Sequence, residues 1–274
     1  NELLIKISEG DIPSVKQMIT QTPGILNQTN KDGYSALFYA IGHEQPELAE
    51  WMLGGNPDLT IQNKGGQAMW PASIALEVAI LKGYTELAKY MIEKNPELIN
   101  MQDKNGVTVL MVTIDEGQSE LSEWMIDKDP SILNQRDQDG QTALTRAIIK
   151  GQSELAKHMI EKNPALLNMQ DKNGVTVLIQ AIYNNMFEIV EYMLTFNPDL
   201  TIQTKSGETA CALALFKENN TLAKQMIKKH PELLRIQTKD GQSPLMIAIE
   251  SKAYKFAEWM IDKDPSILNQ RDQD

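Results

Sequence analysis

"DQDGQTALTRAIIKGQSELAKHMIEKNPALLN" (residues 137–168) reads as a turn, a short helix, a tight turn, a longer helix and a return loop. Asp139-Gly140 is a turn signal. Thr142 is placed to cap a helix that carries Leu144, Ala147 and Ile148 on one face. Gly151 ends that helix, and Ser153 is expected to cap the next one. Leu155, Ala156, Met159 and Ile160 then line one side of the second helix. Asn163-Pro164 stops it, because proline cannot continue a helix and restricts the residue before it. Leu166 and Leu167 are expected to tuck the return loop against the core.

The same pattern extends in both directions. Gly33, Gly66, Gly106, Gly140, Gly174, Gly207 and Gly241 recur at steps of 33 to 40 residues. Pro23, Pro57, Pro96, Pro130, Pro164, Pro198, Pro231 and Pro265 keep the same beat, as does a methionine column from Met18 to Met260. Three residue types in register define a unit of about 34 residues, the signature of a repeat architecture. Eight units follow: 1–30, 31–64, 65–104, 105–138, 139–172, 173–205, 206–239 and 240–272, with 273–274 opening a further one.

The turn and first helix of these units read "GYSALFYA" (33–40), "GVTVLMVT" (106–113), "GQTALTRA" (140–147), "GVTVLIQA" (174–181), "GETACALA" (207–214) and "GQSPLMIA" (241–248). They resemble the G-x-T-P-L-H-x-A stretch of ankyrin repeats, whose units pair a β-turn with two antiparallel helices. No unit has that family's histidine; Phe38, Met111, Thr145, Ile179, Ala212 and Met246 stand in its place. Only Ser243-Pro244-Leu245 keeps the proline. The resemblance implies an all-α repeat solenoid of stacked helix–turn–helix units, a concave groove lined by the first helices, and a role in binding proteins.

The first unit is expected to be a polar cap, with Lys6 where other units have Ala40, Ala79, Ala147, Ala181, Ala214 and Ala248. The last unit keeps interior-type residues, Ala248, Ile249, Ala257, Met260 and Ile261. Its "EWMIDKDPSILNQRDQD" (258–274) duplicates 123–139 letter for letter. "NMQDKNGVTVL" likewise occurs at 100–110 and 168–178. Near-identical units resemble the large arrays of intracellular bacteria, protists and large DNA viruses. The expectation is a piece of a longer array, monomeric, with association through its last unit as the route to oligomers.

Composition narrows the function. The chain has 274 residues, 42% hydrophobic, with 26 basic against 37 acidic side chains and a formal charge of −11. Such a charge repels phosphate backbones, so no nucleic-acid partner is expected, and a protein partner should present basic residues. The single cysteine, Cys211, excludes an intramolecular disulfide and fits a reducing compartment. No apolar run reaches the roughly 18 residues a membrane span needs. The expected location is the cytoplasm, or a host cytosol for a bacterial effector. His43, His158 and His230 occupy different repeat positions and form no ligand-spaced set. "DKDPSILNQRDQDG" lacks the glycine and glutamate of a calcium loop. Neither a catalytic centre nor a cofactor site is expected.

Two features exceed what the period requires. An insertion of about six residues, "GGQAMWPAS" (65–73), carries Met69 and Trp70; inserted segments map to one face of a solenoid. Trp70 reads either as a plug over neighbouring turns or as an anchor for a partner. The column closing the first helices reads Gly42, Leu81, Asp115, Ile149, Tyr183, Phe216 and Glu250. Ile149, Tyr183 and Phe216 are consecutive, flanked by Lys150, Asn184 and Lys217. Helices about 10 Å apart would make them a stripe of about 20 Å, suited to an extended peptide or a helix face. Tyr34, Asp115, Glu116 and Glu208 are expected to form a largely acidic rim at the turn tips. On the second helices, Trp51, Tyr90, Trp124, His158, Tyr192 and Trp259 are expected to seal neighbouring units as an aromatic ladder. The preferred reading is a non-catalytic scaffold that binds a partner in the groove. The alternative is a targeting arm of a longer protein whose catalytic domain lies elsewhere.

Overall fold

Six first helices start from a hydroxyl. Ser35, Thr108, Thr142, Thr176, Thr209 and Ser243 stand in extended backbone, and each accepts a hydrogen bond from the N–H three residues on. Each such cap contributes about 1 kcal/mol. These bonds tie the helix starts that lack the family's histidine. The second helices begin differently. Gln152, not Ser153, is the residue before the helix in the central unit, and its side chain makes no capping bond. The Gln side chain is long enough to reach the neighbouring hairpin instead: Gln45 donates to the Ile7 carbonyl at 2.8 Å, and Gln118 donates to that of Ile80.

The computed structural model describes residues 2–59 and 74–270, and these contain sixteen α-helices and no β-strand. Met69 and Trp70 lie outside the described residues, as do residues 271–274. The chain divides into two compact units, Asn1–Gln138 and Asp139–Asp274.

The first unit holds α1 (Glu2–Ser8), α2 (Ile12–Gln21), α3 (Ala36–Gly42), α4 (Pro46–Leu53), α5 (Ile74–Leu81), α6 (Thr85–Lys94), α7 (Val109–Asp115) and α8 (Ser119–Lys128). Its first helices pack in chain order, α1 on α3, α3 on α5 and α5 on α7, and α4, α6 and α8 form a second row. The second unit holds α9 (Ala143–Ile149), α10 (Ser153–Lys162), α11 (Val177–Tyr183), α12 (Phe187–Leu194), α13 (Ala210–Phe216), α14 (Asn220–Lys229), α15 (Pro244–Glu250) and α16 (Tyr254–Lys263). Here α9, α11, α13 and α15 stack in order, with α10 against α12 behind them. After four of the second helices a 3-10 turn such as Pro164–Asn168 buries its pair of apolar residues, here Leu166 and Leu167.

The alanine column from Ala40 to Ala248 is fully buried, which lets the helices approach closely. Where the third full hairpin has Thr113 instead, its hydroxyl meets that of Ser122 at 2.8 Å and also donates to the Leu110 carbonyl, so the buried polar pair is satisfied. The methionine column is buried from Met52 to Met260, but Met18 is only half-buried, because the hairpin of α1 and α2 has a neighbour on one side alone. Lys6 pairs with Glu9 at 3.1 Å and Asp11 at 3.3 Å, as suits a charged residue at a hairpin's outer face. In the last hairpin Ile249 is 48% exposed, whereas Ile148, Ile182 and Leu215 in the same column are buried.

Gly207 shows why the turn glycine recurs. It has φ +81°, and a Cβ there would lie 2.5 Å from the backbone nitrogen of Lys239 in the next turn. That approach places the Lys239 N–H 2.9 Å from the Ser206 carbonyl, and Lys172 and Lys205 make the same turn-to-turn bond with Asp139 and Asn173.

Candidate functional site

The stacking of α9, α11 and α13 brings their last residues into a row. Ile149 is 46%, Tyr183 36% and Phe216 41% exposed, whereas the alanine and methionine columns beside them are buried. The row is braced from below. Lys217 Nζ donates to the Tyr183 carbonyl at 3.2 Å, and Asn184 Nδ2 reaches the Ile148 carbonyl at 3.5 Å. Both bonds use carbonyls at helix C-termini, which lack partners within their own helix.

Tyr183 is also held at its far end. Its hydroxyl donates to Glu208 Oε2 at 2.9 Å, and Ser206 Oγ donates to the same oxygen at 2.8 Å. Partial burial, aided by the Glu208 carboxylate, pushes the phenol up to about 12. The ring is therefore fixed, neutral and half-open, which lowers the entropy cost of using it as an anchor.

The remaining candidates do not join this row. Tyr34 sits in a turn, but its ring stacks on Phe38 at 4.4 Å rather than standing clear. Asp115 is the last residue of α7, and Glu116 caps that helix at the turn leading to α8. Tyr34 and Glu208 precede a first helix, whereas Glu116 stands in the turn that joins α7 to α8. Tyr34, Asp115 and Glu116 belong to the first unit, and the stripe belongs to the second.

The second-helix rings form lysine-capped sites instead of a ladder. Lys16 lies 5.3 Å from the Trp51 ring, Lys157 5.8 Å from Tyr192 and Lys224 4.7 Å from Trp259, each lysine coming from the preceding hairpin. Lys94 lies over Tyr90 at 5.3 Å and Lys128 over Trp124 at 4.9 Å, each one turn further along the same helix. A ring face attracts a cation, and no two of these rings stack among the described residues. The sequence carries a signal for this. The position two before each methionine of the column reads Lys16, Glu50, Lys89, Glu123, Lys157, Glu191, Lys224 and Glu258, a strict alternation of sign. Attending only to the aromatics hides it.

Cys211 is fully buried, and burial pushes its thiol up to about 12, so it is not poised as a thiolate. His43 contacts Ser8 and His230 contacts Glu232. Among the described residues no group of His, Cys, Asp and Glu could hold a metal ion. No helix among them is long and apolar enough to cross a membrane.

Comparison with known proteins agrees with this architecture. Segments of 84 residues are 32% identical to the NAD-capped RNA hydrolase NUDT12 of Homo sapiens, Macaca fascicularis and Pongo abelii. Each match covers 31% of this chain and 17% of the relative, so the chain spans about a sixth of those proteins. The family model for ankyrin repeats (3 copies) matches residues 76–171, 127–204 and 178–272, which together exceed half of the sequence. With hairpins in register from α1 to α16, the chain belongs to the ankyrin-repeat family.

Proposed function

We propose that the chain is a non-catalytic recognition scaffold whose second unit grips a partner protein across Ile149, Tyr183 and Phe216. The observation that carries this reading is the row of three large apolar side chains left open on braced helix ends. An exposed apolar row with a pre-positioned aromatic is the pattern of a binding hot spot. Its spacing suits an extended peptide or one face of a helix. Glu208 at the edge and the formal charge of −11 favour basic residues in the partner.

A peptide selected on the full chain from a displayed library, then titrated against variants, tests the site. Tyr183→Ala combined with Phe216→Ala should weaken binding by about 2 kcal/mol or more, roughly thirtyfold. Unchanged affinity would remove the stripe from the interface. A second reading has one observation in its favour: relatives of which this chain spans only 17% bear the name of a hydrolase. In that reading the array is the recognition arm of a larger protein and the chemistry belongs to another domain.

A further inference from the structure

Trp51 has no lysine of its own helix over its ring, unlike the rings of the next two hairpins. Tyr90 and Trp124 have their own lysine four residues on, Lys94 and Lys128, lying over the ring. The corresponding place after Trp51 is Gly55, preceded by Gly54, where later hairpins carry pairs such as Glu93-Lys94 and Asp127-Lys128. The helix α4 stops at Leu53, and Asn56 follows in the left-handed region at φ 55°. A cavity of about 780 Å3 lies beside this turn, walled by Trp51 and Tyr90 and bordered by Lys16, Glu47, Glu50, Gly54 and Gly55; the glycines pack closely, a Cβ at Gly55 falling 2.8 Å from Leu26. Trp51 is 37% exposed, both glutamates are exposed, and no ion pair engages either carboxylate among the described residues.

We propose that this cavity binds a lysine or arginine side chain carried on a basic segment of a partner protein. The molecule itself shows which occupant the place suits, because lysines lie on the equivalent rings in the next two hairpins. An aromatic face attracts a cation, and the apolar wall takes the methylene stem. The two carboxylates add complementary charge at the mouth. Lys16, whose Nζ is 5.3 Å from the Trp51 ring, is the internal competitor for the same face. The site is in the first unit and stands independently of the stripe in the second.

The test uses the full chain labelled with 15N at its tryptophan indoles. The probe is an acetylated, amidated alanine–glycine pentapeptide with one central arginine. A citrulline peptide of the same shape is the uncharged control. The Trp51 indole resonance, assigned with Trp51→Leu, should move saturably with the arginine peptide and not with the citrulline one. Glu47→Gln with Glu50→Gln, two exposed positions that leave the core intact, should raise Kd about fivefold. Lys16→Met should lower it about threefold by vacating the ring, whereas Lys172→Met in the second unit should not. A Trp51 signal that stays still, that moves equally with citrulline, or whose Kd ignores both the glutamate and the Lys16 changes overturns the proposal.

Discussion

Tyr183 concentrates what a single side chain contributes. Its ring is open to a partner while its hydroxyl is committed to Glu208. This coupling has a sign that can be measured. The phenol is raised from 10.0 to about 12 in the folded chain, so the folded state keeps a proton that the unfolded state releases above pH 10. The stabilisation is therefore complete below pH 10 and is lost as pH rises towards 12. Buried Cys211, raised from 9.0 to about 12, adds a decline of the same direction that begins one unit lower. Urea midpoints measured from pH 9 to 11.5 should fall for the parent and fall less steeply for Tyr183→Phe; identical slopes would mean that neither burial nor Glu208 raises the phenol in the folded chain. The exposed ring was legible from its column in the sequence. The Glu208 bond was not, because residues 25 apart meet only once turn and helix are stacked. The lysine caps were written in the sequence as an alternation of charge, yet a column of aromatics suggests ring-on-ring contact until distances are known.

At the scale of the element, one hairpin repeats because each of its punctuation marks answers a local need. Hydroxyl caps start the first helices, glycine turns the chain, and proline follows the second helices. These needs are local, so the helices and their order could be read from residues 137–168 before any contact was known. Ser153 misled because serine favours the cap position, whereas the real helix starts with it and leaves Gln152 as the residue before it. The turn glycines separate two causes of glycine use. Gly151 has φ +73° with nothing within 4 Å of a added Cβ, whereas Gly207 has φ +81° and a backbone atom at 2.5 Å. Gly151→Ala should cost about 1 kcal/mol in chemical denaturation, the backbone penalty alone. Gly207→Ala should cost clearly more, since the next turn must also move. Equal costs would show that the turns do not approach as described.

The whole molecule is built from two units of four hairpins, and the sequence repeats on that longer scale as well. "NPDLTIQ" occurs at 56–62 and 197–203, in the second hairpin of each unit. Both copies put asparagine in the left-handed region, Asn56 at φ 55° and Asn197 at φ 49°, after helices of eight residues. The same letters produce the same local departure from the common hairpin. Binding surfaces have no such redundancy: the open apolar row belongs to the second unit, and the cavity beside Trp51 to the first. The central claim is that a partner lies across the ends of α9, α11 and α13. Hydrogen exchange of the full chain, with and without the selected peptide, tests it most directly. Protection should concentrate at 148–151, 182–185 and 215–218. Protection confined to α10, α12 and α14, or absent throughout 139–270, would contradict it.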